Sequence, residues 1–162
     1  AYTNFEGVLT SPFTAHPHED PLTGEWHAIT YSPLTPDHIF HVAIDREGEI
    51  LRQLEVPVSD GPSIHECALT ERFVIIFDLP VTLSLGALAK GFKFPYRWNS
   101  ERPARIGLLP RSGTADEVIW CEIDPCWIFH VANSFEADDN TVVIDAAGPY
   151  SATLNKSIDI EN

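Results

Sequence analysis

GEWHAITY (residues 24–31), HIFHVAID (residues 38–45), EILRQLEV (residues 49–56) and RFVIIFDL (residues 72–79) decide the fold class of this chain. Each run is short, rich in β-branched and aromatic residues and without helical periodicity, which is how strands read. Turn chemistry separates them. Asp20-Pro21-Leu22-Thr23-Gly24, residues 32–37 and Arg46-Glu47-Gly48 place proline, which fixes φ, and glycine, which permits positive φ, between the runs. Working outward, residues 105–109, 118–123, 127–132 and 141–146 read as further strands. The chain is therefore predicted to be all-β. Antiparallel strands at this spacing build either a sandwich or propeller blades, and without a visible internal repeat the pattern leaves both open.

Composition narrows the function classes. With 162 residues and 44% hydrophobic content the chain suits one globular domain with its own core. Its formal charge is -14, and the basic residues are scattered apart from a loose group at Lys90, Lys93, Arg97, Arg102, Arg105 and Arg111. That argues against a nucleic-acid partner, since neutralising phosphates needs a concentrated basic surface. Cys67, Cys121 and Cys126 form neither an even framework nor a CxxC knuckle, and read as reduced residues of a cytoplasmic protein. The longest apolar stretch, residues 73–89, is interrupted by Asp78 and Pro80, and the start of the chain lacks the basic-then-apolar form of a leader. No membrane span is expected. The absence of methionine and the start at Ala1 read as an internal piece of a longer protein.

Three segments each hold one histidine among apolar and small residues: FTAHP (residues 13–17), SIHECALT (residues 63–70) and IFHVANSFE (residues 128–136). Such surroundings predict inward-facing imidazoles. Neutral imidazole suits iron, copper, zinc and nickel alike, so the histidines alone do not name a metal. In order and spacing, the three segments resemble the metal-binding motifs of the carotenoid cleavage oxygenase family, which includes lignostilbene dioxygenases and the retinoid isomerase of the visual cycle. The second motif is similar to His65-Glu66-Cys67-Ala68-Leu69-Thr70, followed by a strand and a proline like Pro80. The third is similar to Phe129-His130-Val131-Ala132-Asn133, with an acidic residue like Glu136 soon after.

The resemblance covers nearly the whole chain and carries definite implications. It implies a seven-bladed β-propeller with the metal on its axis, of which residues 1–162 would be a part truncated at both ends. His16, His65 and His130 become three of four ligands to one Fe(2+) per complete domain, with the fourth histidine outside this chain. The glutamates that orient such ligands would also fall upstream or downstream. The implied reaction is oxidative cleavage of a conjugated carbon-carbon double bond by O2 to give two carbonyl products. No organic cofactor is needed. An apolar polyene, a carotenoid or apocarotenoid, is the expected substrate, with a phenolic stilbene as the alternative; the piece alone is expected to be inactive.

The remaining residues support other readings less well. His18, His27, His38 and His41 match no motif and read as structural or surface residues. Glu19-Asp20 and Asp138-Asp139 read as solvated turns. No GxSxG elbow or glycine-rich phosphate loop occurs. A three-histidine zinc hydrolase would have only Glu66 as an obvious base, and a propeller that has lost activity is the noncatalytic alternative. The segment from Leu83 to Pro95, LSLGALAKGFKFP, leaves the strand pattern as a short helix or loop weakened by Gly86 and Gly91. Its leucines and phenylalanines beside Lys90 and Lys93 suggest a peripheral membrane contact that draws in apolar substrate, against the plainer reading of a loop covering the core.

Overall fold

The computed structural model describes residues 7, 9, 12–138, 140–148 and 153–160, with the side chains of 138 and 153–156 left aside, so the Asp138-Asp139 pair lies outside the described side chains. Strands β1 (His18–Glu19), β2 (Trp26–Ser32), β3 (Thr35–Ile44) and β4 (Ile50–Pro57) form one antiparallel sheet in chain order. Next come β5 (Cys67–Leu69) and β6 (Phe73–Asp78), then an excursion through β7 (Val81–Leu83), the short helix α1 (Leu85–Ala89) and β8 (Tyr96–Trp98). The chain returns as β9 (Ala104–Pro110) and β10 (Ile119–Ile123), completing a second sheet of order β5-β6-β9-β10. A third sheet is built from β11 (His130–Asp138), β12 (Thr141–Ala147) and β13 (Thr153–Asp159).

These are three successive meanders packed face to face, the arrangement of propeller blades. Strand β6 shows why. Its six residues are all buried. Phe73, Ile75 and Phe77 enter the core shared with the third sheet, while Val74 and Ile76 enter the core shared with the first. Side chains alternate across a strand, so a continuous apolar run is what a middle blade needs when both faces are covered. Each such side chain contributes about 1.5–3 kcal/mol through burial. The short strand β5 repeats the rule, with Cys67 in the first core and Ala68 in the second.

Close contacts fix the second blade. Gly107 of β9 lies opposite Trp120 of β10, and a Cβ at Gly107 would stand 2.7 Å from the indole. Glycine there lets the ring lie across the strand, and the Arg105 guanidinium covers it 3.9 Å from the centroid. At the end of β6 the fully buried Asp78 accepts from Arg102 at 2.8 Å and from Arg105 at 2.7 Å. Removing one partner from such a pair would cost about 3–5 kcal/mol.

Two sequence boundaries shift. The turn expected over residues 32–37 is shorter, because β3 already begins at Thr35. Pro36 falls at an irregularity in the β2–β3 register, outside the paired positions, where a missing N–H is tolerated, and its carbonyl accepts from the Gly61 N–H. The strand expected over residues 127–132 begins at His130 and runs on to Asp138. Glu19-Asp20 is corrected in part: Glu19 is exposed, but Asp20 is buried and accepts from Arg111 at 2.6 Å. Burial raises the Asp20 carboxyl, yet Arg111, the Leu22 N–H and the Thr23 hydroxyl outweigh it and hold the group well below the usual range.

Candidate metal centre

The innermost strands β1, β5 and β11 are neighbours, and each histidine motif ends at one of them. His16 and His65 stand two residues before β1 and β5, and His130 opens β11. Three successive blades thus deliver one histidine each to the same edge. Their ring centroids lie 4.7, 5.2 and 5.3 Å apart, and one nitrogen from each falls within 4.8 Å of the others. Contacts between blades hold this register. The Ser134 hydroxyl donates to the Leu69 carbonyl at 2.6 Å, and Glu136 accepts from the Arg72 backbone N–H at 2.7 Å and pairs with its guanidinium. Glu136, the acidic residue of the third motif, therefore ties β11 to the β5–β6 turn and stands apart from the histidine cluster.

Electrostatics suit the three rings for a cation. Burial, then the neighbouring His16 and His130, push His65 below its ordinary value. A neutral ring keeps its lone pair. Phe129 stands edge-on to His65 at 4.9 Å and Trp127 edge-on to Phe129 at 5.8 Å, giving the cluster an aromatic wall. His130 is the most open of the three, with its side chain 58% exposed.

One residue of the site has a role the sequence reading did not find. Orienting glutamates were expected outside this chain, but Glu66 reaches across to the third blade. Its Oε2 accepts from His130 Nδ1 at 3.0 Å and from the Val131 N–H at 3.2 Å, while Oε1 accepts from His18 Nε2 at 2.9 Å. A carboxylate only accepts, so the proton sits on His130 Nδ1 and the Nε2 lone pair is left bare. Alternation of side chains along an extended chain points Glu66 away from His65, and the local sequence does not show that a ligand from another blade waits there.

A cavity of about 330 Å³ adjoins His16 and His65, walled mainly by Phe13, Ile29, Tyr31, Pro33, Ile64 and Tyr96. Lys93 and Pro95 complete one side, so the excursion between β6 and β9 contributes to it. That excursion also carries exposed apolar side chains: Leu85 at 73%, Leu88 at 45%, Phe92 at 52% and Phe94 at 55%. The other histidines are placed elsewhere. His27 and His41 are buried within the first blade, His38 bonds Asp37, and His18 holds Glu66. All three cysteines are free thiols, of which Cys67 is buried.

Fold and site define a β-propeller with histidines gathered at the inner edge of its blades. The chain belongs to the retinal pigment epithelial membrane protein family, whose profile matches residues 1–161. It is 31% identical over 170 residues to a carotenoid cleavage oxygenase of Mycobacterium tuberculosis, covering 82% of this chain and 34% of that protein. Among solved structures, it resembles the Pseudomonas brassicacearum lignostilbene dioxygenase with a TM-score of 0.86, at 22% identity over 99% of this chain and 38% of that one. A cobalt-substituted Synechocystis ACO matches with a TM-score of 0.74, at 24% identity over 90% of this chain and 32% of that one. The chain spans about a third of the length of these relatives. The likeness to solved propellers decides between the two all-β architectures that the strand pattern left open.

Proposed function

We propose that the full-length protein is a non-haem Fe(II) dioxygenase that cleaves a conjugated double bond of a carotenoid or apocarotenoid with O2, giving two carbonyl products. The observation that carries this reading is the meeting of three imidazoles beside an apolar cavity. His16, His65 and His130 would hold the metal, and their donor set fits: one imidazole nitrogen from each lies within 4.8 Å of the others, and imidazole is a ligand that suits iron. Bound there, Fe(II) supplies the redox and dioxygen chemistry that the side chains lack. The protein's own residues do the rest. Burial keeps His65 neutral, Glu66 fixes the His130 tautomer, and the cavity walls exclude water and orient an apolar chain.

Glu66 also weighs against zinc-type hydrolysis, because its carboxylate already accepts from His18, His130 and Val131 and is not free to take a proton from water. Sequence identity favours a carotenoid over a stilbene, since the carotenoid cleavage oxygenase is 31% identical whereas likeness to the lignostilbene enzyme, at 22%, shows the fold alone. The exposed leucines and phenylalanines of the excursion sit on the same segment that lines the cavity, which supports a peripheral membrane contact feeding apolar substrate inward. No helix among the described residues is long and apolar enough to cross a membrane.

The test is product analysis of the full-length protein with Fe(II), O2 and either an apocarotenal or a hydroxystilbene, beside His65→Ala. Aldehydes from the apocarotenal with the wild type alone are expected. Failure to cleave either compound at full iron occupancy would sink the reading.

A further inference from the structure

Strands β5 and β11 lie side by side at the inner edge, yet among the described residues they belong to different sheets and share no ladder. Apolar packing between blades is non-directional, so by itself it sets no register between the two. Nor does the ladder within its own sheet hold β11 evenly. Its pairing with β12 shifts between Val131 and Asn133, just after His130, and again between Glu136 and Asp138. Such irregularities bend a strand and re-aim its side chains. His130 is also the most exposed of the three clustered histidines, so packing holds it least. Directional bonds to the second blade must fix where it stands. Glu136 supplies those at the end of β11 away from the histidines, accepting from the Arg72 N–H at 2.7 Å and pairing with the Arg72 guanidinium, with its side chain only 12% exposed. Burial raises the Glu136 carboxyl, yet the Arg72 N–H, the Arg72 guanidinium and the Thr70 hydroxyl outweigh it and hold the group below its usual range, so it stays charged. Thr70 and Arg72 belong to the turn that follows β5, and one three-residue strand separates that held turn from the His65 motif.

We infer that Glu136 is a positioning residue, which with Arg72 clamps the far ends of β5 and β11 together and so sets the reach of His130 toward His16 and His65. The inference rests on the proposed metal site and adds a residue outside the histidine cluster that governs its affinity. The clamp works with the Ser134 bond to the Leu69 carbonyl at mid-strand and with Glu66 at the metal end. Three attachments along one pair of strands prevent both sliding and pivoting. A functional site holds its geometry only while its side chains stay within about 0.5 Å of their places. Releasing the far attachment lets β11 pivot about Ser134, and the displacement arrives at His130.

The test titrates Co(II) alone into the metal-free full-length protein, with visible absorption reporting the number and arrangement of the ligands, so that it does not depend on turnover. Wild type is expected to bind Co(II) saturably. Glu136→Ala should weaken binding about three- to tenfold and alter the absorption band, within the range over which packed networks couple distant positions. Arg72→Ala, which leaves the backbone N–H to Glu136, should do the same to a smaller degree, and Glu136→Gln, which keeps an acceptor for that N–H, should recover part of the loss. Arg105→Gln is the control. It opens an ion pair with Asp78 inside the second blade and should lower stability in urea without moving the Co(II) affinity or the band. Wild-type affinity and absorption in folded Glu136→Ala, or a change no greater than that of Arg105→Gln, overturns the inference while leaving the metal site standing. If Glu136→Ala does not fold, Glu136→Gln decides by the same comparison with wild type and Arg105→Gln. A wild type that takes up no Co(II) overturns the inference together with the reading it rests on.

Discussion

His16, His65 and His130 gather at the mouths of three innermost strands, whereas His27 and His41 meet inside a single blade, and only the first group leaves lone pairs for a ligand. In the second group, Arg111 donates to His27 Nε2 at 3.0 Å, so His27 carries its proton on Nδ1 and passes it toward His41 Nε2, also at 3.0 Å. The relay uses every lone pair on the two rings. It also sets a guanidinium beside them, where a second cation is unwelcome. The first group has the opposite neighbour, since Glu66 takes the proton of His130 and makes the far nitrogen a better donor to a metal. Two clusters of one residue type are thus separated by position along the strand and by the sign of the charge that orients them.

The largest effect separating the groups is on metal content. His65→Ala or His130→Ala in the full-length protein should lower iron affinity by at least about 100-fold, taking the upper end for loss of an orienting group as the floor for loss of a ligand. His41→Leu, which disrupts the buried relay, should leave metal stoichiometry unchanged. Elemental analysis after dialysis against Fe(II) checks both. Full occupancy in His65→Ala, or a metal-free His41→Leu that is still folded, would erase the distinction.

A smaller effect belongs to Glu66. Glu66→Gln keeps the volume but removes the charge, and it should weaken iron binding about 10- to 100-fold without unfolding the protein. Competition with a chelator, read beside circular dichroism, measures this. An affinity equal to wild type would show that Glu66 merely packs between β5 and β11. Because Glu66 also accepts from His18, His18→Ala should produce a weaker form of the same defect, smaller than that of Glu66→Gln.

What the amino-acid sequence makes legible follows from the same physics. Strands β2, β3, β4, β6, β9, β10 and β12 announce themselves because each is at least five residues long, enough for an apolar-rich run without helical periodicity to show between turns. Strands β1, β5, β7 and β8 are two or three residues long, too short for a period, and β1 and β5 are two of the three that bring the histidines together. The histidines were legible through their surroundings and the resemblance, not through the strands that position them. Glu66 is legible only as a side chain. Its role depends on partners fixed by blade packing across dozens of residues. Asp20 reads as solvated in the sequence because Pro21 and Gly24 mark a turn, and nothing local foretells that Arg111 reaches that turn from 91 positions away.

The smallest effect concerns how the two histidine groups respond to acid. Burial, followed by His27, Arg52 and Arg111, lowers His41 from 6.5 to about 3, and burial with Arg111 lowers His27 as well, despite Glu25 and Asp20 nearby. Because the folded-state value lies below the unfolded one, the unfolded chain takes up the proton first as pH falls. His41 therefore leaves stability unaffected well above pH 6.5 and erodes it progressively from there toward pH 3. Between pH 7 and 6 the loss from His41 is about 0.7 kcal/mol, steepening toward about 1.4 kcal/mol per pH unit below that. Urea unfolding of the iron-free full-length protein at several pH values should show this slope, and His41→Leu should flatten it while His27 retains a share. A slope identical in wild type and His41→Leu would mean that His41 takes up its proton as readily in the fold as in the unfolded chain, which the one-way donation from Arg111 through His27 does not allow.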